Sequence, residues 1–121
     1  MSNAAQAYAR TSQTTASPRE IEAQALLKAA RQLQDVQANW AGPDKNMHNA
    51  LLFNSRLWSI FMSAVDTPDN PQPLEVRQNI ANIGVFVMNQ TVEMQLNPDP
   101  AKLKSLIDIN CNLAAGLSGR G

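Results

Sequence analysis

All seven prolines of this chain stand at four places: Pro18, Pro43, the run Pro68 to Pro73, and Pro98 to Pro100. Proline lacks an amide donor and crowds the turn before it, so it ends a helix or opens one at the first position. The long stretches between these places contain no proline and none of the apolar–polar alternation of a half-buried strand. Their apolar residues recur at three- and four-residue steps instead, which stacks them on one side of a helix. The chain therefore reads as all-α, a small antiparallel bundle of about four helices over residues 17–121 preceded by a flexible N-terminal arm over residues 1–16.

The arm, MSNAAQAYARTSQTTA, is rich in Ser, Thr, Gln and Ala, and Tyr8 is its one aromatic residue. Ser17, Pro18 and Glu20 form a capping-box start for helix 1, whose Leu26, Ala29, Ala30, Leu33, Val36 and Trp40 make a stripe that Gly42 and Pro43 end. Asp44 is the predicted N-cap of helix 2, which runs to about Val65 with Met47, Ala50, Leu51, Leu57, Trp58, Phe61 and Val65 inward. Phe53, Ile60 and Ala64 widen that arc to about half of the circumference. The segment TPDNPQP, Thr67 to Pro73, is a loop, and helix 3 spans Leu74 to about Leu96. Asp99 and Pro100 open helix 4, with Leu103, Leu106, Ile107, Leu113, Ala114 and Leu117 inward and Gly116 or Gly119 at its close.

Composition narrows the chemistry. The chain has 121 residues, enough for one core, and ten basic residues balance ten acidic ones. A zero formal charge gives no general attraction to phosphate backbone or anionic lipid, so neither nucleic acid nor membrane is an expected partner. No apolar run approaches the roughly 20 residues of a membrane span, and Met1 to Arg10 lacks the pattern of a signal peptide. With the single Cys111, a reducing cytoplasm is the expected compartment. His48 has no second imidazole with which to share a metal, and Cys111 lies beside the helix 4 stripe as a semi-buried thiol. Because no nucleophile, base and orienting group can be assembled, the chain is expected to be no enzyme and to use no cofactor.

Two features require partners. Asn54 and Asn110 project into the middle of the apolar arcs of helices 2 and 4, where an unpaired amide costs about 1 to 3 kcal/mol. They either bond one another or nearby carbonyls, fixing the pairing of those helices, or they contact a ligand. Helix 3 carries a second apolar stripe, Leu74, Ala81, Val85, Met88, Val92 and Leu96, opposite Val76, Ile80, Ile83, Val87 and Met94. That second stripe is either covered by helix 1 or the arm, or left open as a groove for an amphipathic helix.

The pieces AYART (Ala7 to Thr11), SPREIEA (Ser17 to Ala23), NSRLW (Asn54 to Trp58), VRQNIANIGVFVMNQT (Val76 to Thr91) and LIDIN followed by GL (Leu106 to Leu117) together resemble the FlaF family of alphaproteobacterial flagellar biosynthesis regulators. They run in order over almost the whole chain. One departure stands at Ser55, where many members carry arginine, and Ser55 is expected on the polar side of helix 2. The resemblance implies a cytoplasmic, non-enzymatic protein needed for flagellin production and export, a flagellin-binding chaperone acting with or against the translational regulator FlbT. Leu57, Trp58, Leu106 and Ile107 read as packing residues within the matching motifs, while Arg56 and Asp108 project outward to meet a partner or each other. Tyr8, Arg56, Leu74, Val85, Met88, Val92 and Asp108 are thus the expected partner-binding residues. The competing expectations are a translational regulator acting on flagellin mRNA directly and a structural homo-oligomer with the second stripe of helix 3 as its seam.

Overall fold

A computed structural model describes residues 17–119. Tyr8 and the rest of the arm lie outside the described residues. Those described form four α-helices and one short 3-10 helix, and no strand occurs among them. The helices are α1 (Pro18–Ala38), α2 (Lys45–Val65), α3 (Leu74–Leu96) and α4 (Leu103–Leu117), with the 3-10 turn Pro100–Lys102 leading into α4.

Side-chain oxygens open α1, α2 and the 3-10 turn, where the amides of a first turn lack intrahelical acceptors. The Ser17 hydroxyl accepts from the Glu20 amide at 3.2 Å, and Asp44 Oδ1 accepts from the Met47 amide at 2.9 Å. Asp99 accepts from the Ala101 amide at 2.9 Å, so it caps the 3-10 turn and not α4 itself. That corrects the expected direct start of helix 4 at Pro100. Helix 1 also ends earlier than its apolar stripe suggests. Asn39 donates both its amide and its side chain to the Asp35 carbonyl, closing α1 at Ala38 and leaving Trp40 half-buried on the connecting loop. Gly42 turns that loop with φ +98°, a left-handed conformation that a side chain disfavours. In the loop after α2, Asn70 Nδ2 donates to the Ala64 carbonyl and Asn70 Oδ1 accepts from the Gln72 amide, which holds the proline-rich segment in place.

Neighbouring helices run antiparallel. Lys28 of α1 lies over the Phe53 ring of α2, while Gln32 and Val36, further along α1, line one cavity with the earlier residues Asn49 and Asn46. α1 packs against α2 and α4, and α3 packs against α2 with a sparser contact to α4, so α2 and α4 face each other diagonally across the bundle. Leu26, Leu33, Leu51, Trp58, Val87, Met94, Leu103 and Leu106 are wholly buried at the centre. Trp58 meets Phe61 edge to face, with ring centroids 5.5 Å apart. The arc of α2 is narrower than expected, because Ile60 is 65% exposed and Ala64 is exposed with it. No neighbouring helix covers that flank.

Candidate functional site

Asn54, Trp58 and Asn110, all without solvent exposure, form a polar chain across the bundle diagonal. The Trp58 indole N–H can only donate, and it donates to Asn110 Oδ1 at 2.9 Å. Asn110 must then turn its Nδ2 toward Asn54, whose Oδ1 accepts at 2.7 Å. The direction of the chain is therefore set by tryptophan, and it leaves Asn54 Nδ2 without an acceptor. This arrangement joins helices that otherwise barely meet, and its closure inside the core gives a ligand no access. Of the two readings open for the asparagines, mutual bonding is the one formed, with Trp58 as a third member that helical spacing did not place in the network.

The outer side of α3 is different. Val87 and Met94 are wholly buried and Thr91 nearly so, its hydroxyl donating to the Val87 carbonyl at 2.7 Å. Gly84 presses α3 onto α2 so closely that a Cβ there would lie 2.6 Å from Met62 Cγ. With that face turned inward, Leu74 (60% exposed), Val85 (52%), Val92 (52%) and Leu96 (71%) stand in solvent. Met88 departs from the expected open stripe: it is half-buried against the core, at the edge of the exposed row. Val76 and Ile83, expected to face inward, are more than a third exposed because α4 covers little of α3 on their side. Phe86 is exposed there too; it belongs to neither stripe, and its position between them gave no periodic signal.

At the start of α3, a cavity of about 480 Å³ opens between this helix and the end of α2. Arg77 lines it, and the Arg77 Nε is buried without an acceptor. Neither of the two ion pairs among the described residues involves Arg77, although Asp66 lines the same cavity. Arg77 was missed in the sequence, where it reads as one of several scattered cations.

The remaining expected residues are dispersed. Arg56 is exposed on α2, while Asp108 accepts from Lys104 at 2.6 Å one turn away on α4, so the alternative Arg56–Asp108 bridge is not formed. α2 and α4 stand on opposite sides of the bundle, which keeps the two residues apart. Ser55 is half-buried, not free on the polar side. His48 is exposed, Cys111 is half-buried, and no group of metal-binding side chains exists among the described residues. None of the described helices is long and apolar enough to cross a membrane.

One charged cluster is tied down at the end of α3. Glu93 accepts from Asn97 Nδ2 at 2.9 Å and lies 3.6 Å from Lys102 Nζ. The Asn97 hydrogen bond first and the Lys102 charge second hold its carboxyl below the ordinary glutamate value. Lys102 also donates to the Asn97 carbonyl, and Gln90 of α3 and Gln37 of α1 donate to the Lys102 and Pro100 carbonyls of the 3-10 turn. These bonds fasten the last turns of α3 to the start of α4. The first turns of α3, near Arg77, have no such fastening among the described residues.

No curated protein and no solved structure matches the chain. The sequence model of the family described as "Flagellar protein FlaF" matches residues 4–117, nearly the full length, and the chain belongs to that family.

Proposed function

We propose that the protein is a cytoplasmic flagellin-binding export chaperone that also regulates flagellin production after transcription, without catalysis. The observation that carries this reading is the row Leu74, Val85 and Val92, more than half exposed on a helix that is already packed against the bundle on its other side. Membership of a flagellar family supplies the setting, and the row lies in or beside the Val76 to Thr91 segment that bears the longest resemblance to it.

A client helix laid on the row takes three aliphatic side chains from about half exposure to burial. That contributes about 1 kcal/mol for each, with a similar gain on the client's side. Ordering the client opposes this, so the complex is expected to be moderate in strength and releasable, as export requires. Control of flagellin production follows if free and occupied forms differ in their availability to FlbT.

Isothermal titration of purified flagellin into the protein tests the reading, with size-exclusion chromatography as the second readout. Heat of binding at tens of micromolar and co-elution are expected. Absence of both removes the chaperone reading. Val85→Glu and Val92→Glu should abolish the heat with helical content unchanged. A gel shift with flagellin leader RNA should be negative, since the formal charge is zero.

A further inference from the structure

The open row on α3 has a charge pattern that describes its occupant. From Gln78 to Val92 the helix contains no charged residue, and the polar positions are asparagine, glutamine and threonine amides and hydroxyls. A helix docked there meets no charge along four turns. At the α3 start, however, Arg77 stands beside the cavity of about 480 Å³, next to Leu74 and Ala81 at helical spacing on the same side.

Its Nε–H is closed off without an acceptor, so the terminal guanidinium nitrogens, which make no ion pair among the described residues, are what a docked partner can reach. α3 adds to the positive character of that end, because Pro73 offers no side-chain cap to the first-turn amides. The two acidic residues nearby are Asp66, which lines the cavity without pairing with Arg77, and Glu75 in the first turn of α3.

We propose that the occupant of this face is an amphipathic helix with an uncharged apolar stripe and one carboxylate at a single end, and that Arg77 sets its register by receiving that carboxylate. This rests on the reading of the row as a docking face, and it adds the chemistry of the partner and the register in which it sits. Arg77 supplies a charge-assisted hydrogen bond that the rest of the row cannot, so sliding the helix by one turn loses it. Asp66 acts against the incoming carboxylate and weakens the contact. Away from Arg77 the interface is indifferent to salt.

The test uses the full chain and designed peptides of about 20 residues, long enough to hold a helix when docked. Each carries leucine at i, i+4, i+7 and i+11 with alanine and glutamine elsewhere. One has a single Glu before the stripe, one a single Glu after it, and the control has Gln at both places. One of the two Glu peptides should bind about three- to fivefold more tightly than the control, in the range of a partly exposed ion pair. Arg77→Gln should erase that difference and leave the control's affinity unchanged. Arg77→Lys, which keeps the charge and loses the planar guanidinium, should retain part of it, and Asp66→Asn should widen it.

Equal affinity of all three peptides overturns the proposal, as does failure of all three to bind. So does a preference for a Glu peptide that survives in Arg77→Gln. Flagellin is titrated in parallel. If it fails to bind while the peptides behave as stated, the chaperone reading falls and the docking chemistry stands.

Discussion

α3 and α4 pack into the same bundle, and the shorter of the two is the better buried. α4 hides Leu103, Leu106, Ile107, Asn110 and Ala114 along one stripe and turns Lys104, Asp108 and Asn112 outward. α3, 23 residues long, buries only Gly84, Val87, Thr91 and Met94 and leaves Leu74, Val85, Phe86, Val92 and Leu96 in water. The difference follows from the distribution of apolar residues and from the neighbours available. α4 has one apolar stripe, seated against α1 with α3 at its side, whereas α3 has apolar residues on most of its circumference and is packed firmly only on α2. One helix spends its hydrophobic side chains on stability, and the other leaves part of them in solvent.

The sharpest way to break this comparison is to cut one aliphatic side chain from each helix. Leu106→Ala on α4 is expected to cost about 2 to 5 kcal/mol, since the removed atoms leave a cavity among wholly buried neighbours. Val92→Ala on α3 should change stability by less than about 0.5 kcal/mol. Urea unfolding followed by circular dichroism measures both. A loss above about 1.5 kcal/mol for Val92→Ala means that the outer row belongs to the core.

Next in size is the diagonal polar chain. Asn110→Ala leaves the Trp58 indole N–H without an acceptor and the Asn54 oxygen without a donor, so a loss of about 3 kcal/mol is expected. Tryptophan fluorescence should change with it. Asn110→Asp keeps an acceptor for Trp58 but places an unpaired charge in the core and faces the Asn54 oxygen with another. It should be at least as damaging unless Asn54 turns its idle Nδ2 toward the new carboxylate.

A smaller effect tests why α3 turns this face inward. Gly84→Ala gains helix propensity of about 1 kcal/mol, yet its Cβ lands 2.6 Å from Met62 Cγ and Sδ. Overpacking of this kind costs about 1 to 3 kcal/mol, so a net loss of about 1 kcal/mol is expected. In a Met62→Ala background the clash is absent, and the same Gly84→Ala change should stabilise. A double-mutant cycle reads the reversal of sign directly. Lack of reversal means that Gly84 is not what brings α2 and α3 into contact.

These particular residues show which parts of the structure were legible beforehand. The bounds of α3 followed from Pro73 and Pro98, and the start of α2 from Asp44, because caps and prolines act through the local backbone. The end of α1 was not legible. Trp40 continues the apolar period, but Asn39 closes the helix by bonding back to Asp35, and periodicity cannot register a cap that interrupts its own stripe. Ile60 looked inward because an arc on a helical wheel shows where apolar atoms lie and not whether a neighbour reaches them. The same limit applied to the exposed row of α3. Two stripes on α3 were plain in the sequence, but the choice between them depended on a tertiary approach at Gly84. Arg77 became significant only once its Nε was buried without an acceptor.

The smallest expected effect concerns the two ends of α3. Its last turns are held to the 3-10 turn through Glu93, Asn97 and Lys102, and the carboxyl of Glu93 is held below its ordinary value by that contact. A carboxylate with a lower pKa in the folded state than in the unfolded one stabilises the fold above the unfolded value, near 4.5. That contribution fades as pH falls through the lower, folded value. Glu93→Gln should therefore be slightly less stable than the parent at neutral pH, and the gap should close in acid. Because Glu93 is on the surface, 1 M salt should narrow the gap as well. Urea titrations of Glu93→Gln and its parent from pH 7 to pH 3 measure how far this contact secures the last turns of α3. No side-chain bond of that kind ties the first turns of the helix among the described residues, so the fastening lies at one end only.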